Sequence, residues 1–93
     1  MSDAATELRV PAFKRGVKFR FDTVRDTWAV LAPERMFVPD QQAVEVLKLI
    51  DGQRTLRAIV DDLCVRYDAP PDLVMADVAE MVSDLADKGV LTW

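Results

Sequence analysis

Residues 35–47, RMFVPDQQAVEVL, contain the point at which the chain changes its period. Before Pro39 the apolar positions alternate, and after it they recur at three and four. Arg35-Met36-Phe37-Val38 reads as a short, mostly apolar strand, and Asp40 can accept from the free N–H groups of a first helical turn. Ala43, Val46, Leu47 and Ile50 then share one helical face. Working back, Val17, Phe19 and Phe21 alternate with Lys18, Arg20 and Asp22, which predicts a half-buried strand. Asp22 to Asp26 supplies turn chemistry, Thr27-Trp28-Ala29-Val30-Leu31 predicts the partner strand of a hairpin, and Pro33 stops it.

Working forward, Asp51-Gly52 ends the first helix and Thr55 caps the second. Leu56, Ile59, Val60, Leu63 and Tyr67 form the second helix's stripe. Pro70-Pro71 opens a third helix. Its apolar stripe is Val74, Val78, Met81 and Leu85, widened by Met75 and Val82, and Gly89 stops it. Val90-Leu91 can return to the core as a short strand or tail. The pattern predicts an α+β domain of winged helix-turn-helix type: a three-stranded antiparallel sheet followed by three helices. Residues 1–10 show no period and read as a flexible arm or linker ahead of a domain spanning 11–93.

The chain has 93 residues, 51% hydrophobic and 30% charged, the composition of one ordinary soluble domain. It has no apolar run of membrane-spanning length and no signal-peptide pattern at the start, so a cytoplasmic location is expected. Cys64 is the single cysteine and there is no histidine. An internal disulfide is therefore impossible, and the commonest general base and metal ligand are missing. No catalytic residue, metal site or cofactor is expected, and the enzyme class is set aside. Charge is uneven: residues 1–37 carry seven basic and five acidic side chains, residues 38–93 five and eleven.

A helix-turn-helix order suggests DNA binding, in which the last helix enters the major groove. Here that helix bears Asp72, Asp77, Glu80, Asp84 and Asp87 against Lys88 alone, which would repel phosphates. The stripe Asp77, Glu80, Asp84 and Asp87 fits either a solvated face or a docking surface for a basic partner. The third strand carries a different signal. Met36, Phe37 and Val38 have only Arg35 as a charged gatekeeper, and an apolar strand at a sheet edge can accept an extended peptide as a further strand. Alternation places Met36 and Val38 on the core face and leaves Phe37 on the other, in need of cover.

Several ordered stretches resemble the PqqD family. They are Lys14-Arg15-Gly16-Val17, Asp22-Thr23-Val24-Arg25 and Leu31-Ala32-Pro33-Glu34-Arg35 in the sheet region. In the helical region they are Asp51-Gly52-Gln53-Arg54-Thr55 with Ile59, then Asp77-Val78, Leu85 and Lys88-Gly89-Val90-Leu91. The resemblance covers residues 10–92. It departs at Pro39, where the family commonly has Asn, and at Ala58, where it commonly has Glu. It implies a non-enzymatic peptide chaperone of pyrroloquinoline quinone (PQQ) biosynthesis. Such a protein binds the precursor peptide PqqA and presents it to the radical SAM enzyme PqqE, and some members are fused behind PqqC. It further implies that the peptide pairs with the third strand, at Arg35, Met36, Phe37 and Val38. The peptide would lie against the third helix, at Val78, Met81, Val82 and Leu85. The alternatives are leader recognition in another modified-peptide pathway and a winged-helix regulator of nucleic acid.

Overall fold

A computed structural model describes residues 4–93. Five strands and four helices are arranged as two small sheets against a helical cluster. Strand β1 (Ala12–Phe13) pairs antiparallel with β5 (Leu91–Thr92). Strands β2 (Lys18–Asp22), β3 (Thr27–Leu31) and β4 (Met36–Phe37) form an antiparallel sheet in the order β2-β3-β4. The helices are α1 (Ala4–Glu7), α2 (Gln41–Leu47), α3 (Leu56–Tyr67) and α4 (Pro71–Asp87). The expected hairpin, third strand and three helices are all present. The β1–β5 pair is additional, and it takes up the predicted return of Val90-Leu91.

Local chemistry sets the element ends. The Asp40 carboxylate accepts from the Ala43 N–H at 2.8 Å, so Asp40 is the N-cap and α2 starts at Gln41; Pro39 has no side-chain acceptor that could cap it. Thr55 Oγ accepts from the Ala58 N–H at 3.1 Å to start α3. Helix α4 stops at a Schellman motif: Gly89 at φ 81 donates to the Ala86 carbonyl, and Val90 donates to that of Leu85. The turn throws Val90 and Leu91 into the interior, where both are fully buried.

The interior is apolar throughout: among the described residues no polar or charged one is buried. Leu56, Ile59, Val60 and Leu63 of α3 meet Val78 and Val82 of α4, Leu47 of α2 and Val30 of β3. Each fully buried aliphatic side chain contributes roughly 1.5–3 kcal/mol. An aromatic row of Phe13, Phe19, Trp28 and Phe21 links the two sheets, with Phe19 stacked on Trp28 at 4.7 Å.

Two expectations change. Helix α2 ends at Leu47, so Ile50 reaches the core from the following loop. Tyr67, assigned to the buried stripe of α3, is 56% exposed at the helix's last position. Glu7 and Arg9, within the arm expected over 1–10, contact the domain; residues 1–3 of that arm lie outside the described residues. The Arg9 carbonyl accepts from the Leu56 N–H at 2.8 Å, satisfying a free donor of α3. Glu7 pairs with Arg57 at 2.8 Å, and the Arg9 guanidinium lies over Trp93.

Two predictions follow from these ends. Gly89→Ala places a Cβ in open space, yet at a φ that L-residues disfavour. It should cost about 1–2 kcal/mol of unfolding free energy, read from the denaturant midpoint. Between α2 and α3 the Asp51 carboxylate accepts from the Arg54 and Gln53 N–H groups, at 2.8 and 2.9 Å, which holds its pKa below the usual value. A lowered folded pKa adds stability that is complete above the unfolded pKa and is lost as pH falls through the folded one. Carbon-detected NMR should therefore find Asp51 titrating below 3.8, and Asp51→Asn should remove its share of the acid-induced loss.

Candidate functional site

Among the described residues strand β4 has one neighbour, β3, so its other side is open. The two-residue turn Pro33-Glu34 is bracketed by reciprocal bonds: Ala32 donates to Arg35 at 2.9 Å and Arg35 donates back at 3.4 Å. In an antiparallel ladder such pairs alternate with pairs whose N–H and C=O groups point apart. Leu31 opposite Met36 is then a non-bonded pair, and Val30 opposite Phe37 a bonded one. It follows that Phe37 turns its main-chain groups inward to Val30, while Met36 turns its N–H and C=O out to the open border.

The same parity corrects the expected side-chain faces. Phe37 is half-buried against the core, opposite Val30. Met36 and Val38 are the outward residues, 41% and 56% exposed. The fault lies in the anchor of the alternation: two apolar residues outnumber one, but only the aromatic ring reaches the helical layer. Arg35 is exposed at the turn.

The opposite border of this sheet, β2, is longer and carries Lys18 and Arg20, with Asp22 closing the turn. Charge along an edge discourages strand pairing. The β4 border presents Met36 and Val38 instead and is the more receptive of the two.

On α4 the predicted residues divide. Val78 and Val82, one turn apart, are 4% and 0% exposed and hold the helix to the core. They form the centre of the buried stripe, although Val82 is expected from the sequence only as a residue that widens it. Met81 and Leu85 flank it, half-buried. Phe37 belongs to the same cluster as these four, so the strand and helix sets meet through the core. Asp77, Glu80, Asp84 and Asp87 are all exposed, with Asp84 bound to Lys88 at 2.9 Å.

Just beyond β4 the chain enters α2, whose Gln41, Gln42 and Glu45 form one wall of a groove of about 430 Å³. The other walls are Leu63 and Tyr67 of α3 and Val74, Asp77 and Val78 of α4. Sequence reading missed this wall of α2. Gln41, Gln42 and Glu45 are polar residues early in α2, and no period in the sequence marks them as groove-lining. Among the described residues no cluster of three or more His, Cys, Asp or Glu could hold a metal ion, and no helix is long and apolar enough to cross a membrane. The site offers main-chain hydrogen-bonding groups, exposed thioether and aliphatic surface, and a groove with carboxylates at its rim. This equipment suits holding an extended chain.

The family model for coenzyme PQQ synthesis protein D matches residues 27–91. A Rhodopseudomonas palustris (strain BisB5) relative described as PqqA binding protein is 48% identical over 87 residues, spanning 94% of this chain and 85% of that one. The bifunctional coenzyme PQQ synthesis protein C/D of Methylorubrum extorquens is 49% identical over 82 residues, which are 88% of this chain and 22% of that one. The solution structure of the PqqD truncation of Methylobacterium extorquens PqqCD superposes with a TM-score of 0.76. It is 48% identical and covers 90% of this chain and 89% of its own, and it is described as a functional, stand-alone recognition element for ribosomally synthesized and post-translationally modified peptides. With its sheet, its helical cluster and seven-tenths of its length matching in this way, the chain belongs to the PqqD family.

Proposed function

We propose that this domain binds a PqqA-type precursor peptide in PQQ biosynthesis and does so by strand addition at β4. The carrying observation is the outward-facing main chain of Met36 on an edge free of its own charge. The PqqA-binding relatives and the peptide recognition element of the same fold support the choice of ligand. The incoming peptide would pair with Met36, lie over the exposed sides of Met36 and Val38, and continue toward the groove between α2 and α4. Met81 and Leu85 would take part through their exposed portions, while Phe37, Val78 and Val82 support the surface from below.

Magnitudes show how the work is divided. Met36 offers one donor and one acceptor, worth roughly 0.5–1.5 kcal/mol each on a net basis. A dissociation constant of 1 μM needs about 8 kcal/mol. Main-chain pairing therefore sets register and direction, and side-chain contacts supply most of the affinity. The domain acts without chemistry of its own, holding the peptide for a modifying enzyme such as PqqE. The exposed acidic row Asp77, Glu80, Asp84 and Asp87 is the surface suited to a basic patch on that enzyme. The same row disfavours a nucleic-acid partner, and a low-salt gel shift should show no complex.

Hydrogen exchange tests the strand. The Phe37 amide should be protected in the free domain, and the Met36 amide only after the peptide is added. A Met36 amide that stays unprotected in the saturated complex would exclude capture at this border. Substitution separates the two positions further. Met36→Pro removes an outward N–H and should weaken PqqA binding about 3–10-fold with the β3–β4 pairing intact. Phe37→Pro removes an inward one and should destabilise the sheet itself.

A further inference from the structure

A charged side chain reaches Met36 at the open border from the turn at the other end of the sheet. Arg25 sits in the turn between β2 and β3, two residues before β3 begins. Its side chain reaches Met36, placing Nη1 3.6 Å from the sulfur. To do so it must run along the outer face over β3, whose Ala29 is only 2% exposed on that face. The turn is built to release it in this direction. Asp22 accepts from the Val24 and Arg25 N–H groups at 2.9 and 3.2 Å, and Asp26 takes a left-handed φ of 56. The Asp22 carboxylate lies 3.8 Å from the guanidinium at Nε. The Nη groups face Met36 and solvent, and the side chain is 56% exposed.

The outer face around it is basic. Lys18 and Arg20 share that face with Ala29, Leu31 and Met36 by register. Neither is in an ion pair among the described residues, and Asp22 is occupied by the turn. A strand added at β4 would set the side chain of the residue paired with Met36 on this outer face. Cross-strand neighbours stand about 5 Å apart at Cβ. A guanidinium that already lies on Met36 is within reach of a carboxylate there, and its fork geometry suits one.

We propose that Arg25 is a specificity-determining residue that reads an Asp or Glu side chain on the bound peptide, at the position paired with Met36 or two residues from it. This rests on strand addition at β4 as proposed above. The contact would give the edge a preference that main-chain pairing cannot, since every extended peptide offers the same N–H and C=O groups.

The test pairs domain variants with peptide variants. PqqA and a set of its single Asp→Asn and Glu→Gln forms are titrated into the wild-type domain, Arg25→Gln and Arg25→Lys. Thermal midpoints and amide spectra confirm that each variant folds, as an exposed turn residue should allow. Arg25→Gln should lower affinity for unmodified PqqA about tenfold, the scale of a charge-assisted hydrogen bond. One neutralised peptide should lose the same amount on the wild-type domain and nothing further on Arg25→Gln. Arg25→Lys should recover only part of the loss. Equal affinity of wild type and Arg25→Gln for PqqA, or losses that simply add for every neutralised peptide, would overturn the proposal. Amide protection at Met36 in the same complexes separates the two ideas. Protection without coupling defeats the Arg25 assignment alone, and no protection defeats strand capture with it.

Discussion

The reciprocal bonds between Ala32 and Arg35 across Pro33-Glu34 fix the register of β4, and the properties of the open border follow from it. A sheet has a period of two, so a one-residue slip would reverse every assignment. It would send Phe37 to solvent and Met36 inward. It would also turn the outward N–H and C=O toward β3. Burial of the Phe37 ring opposite Val30 opposes such a slip. The turn and the core therefore enforce the same pairing, and neither has to fix it alone.

Around that border the domain is divided by charge. The outer sheet face carries Lys18, Arg20 and Arg25, while the exposed side of α4 carries a row of carboxylates. The basic surface belongs to the element with the free main-chain edge, and the acidic surface to the helix that closes the core. The two surfaces of opposite charge thus lie on different elements. The core needs no charged group to achieve this, because Phe37 and the stripe of α4 join the two elements through apolar contacts only.

Much of this could be read from the sequence where one local rule sufficed. The switch of period at Pro39, the Asp40 and Thr55 caps and the Gly89 stop each involve residues within a few positions of one another. The open status of the third strand was also legible, since Met36 to Val38 lacks the charges that blunt β2. The parity of that strand was not. It depends on which residue meets Val30, a contact fixed by a turn whose reciprocal bonds leave no mark in composition. How the α4 residues divide between buried and half-buried was not legible for a related reason. A six-residue stripe shows which side of α4 is apolar, but which of its members are fully buried is decided by where α3 packs. The reach of Arg25 to Met36 spans eleven positions and follows no period at all.

The docking of residues 4–10 bears on how this domain is joined to others. In Methylorubrum extorquens the matching stretch lies within a bifunctional C/D protein. Here the backbone of Arg9 and the carboxylate of Glu7 clasp the start of α3. A neighbour attached upstream would be hinged ahead of that clasp rather than at Pro11, and its swing would be shortened by the length of the docked segment. The clasp acts on α3 and leaves the β4 border untouched, so a covalent neighbour can be held close without lying across the strand proposed to receive the peptide.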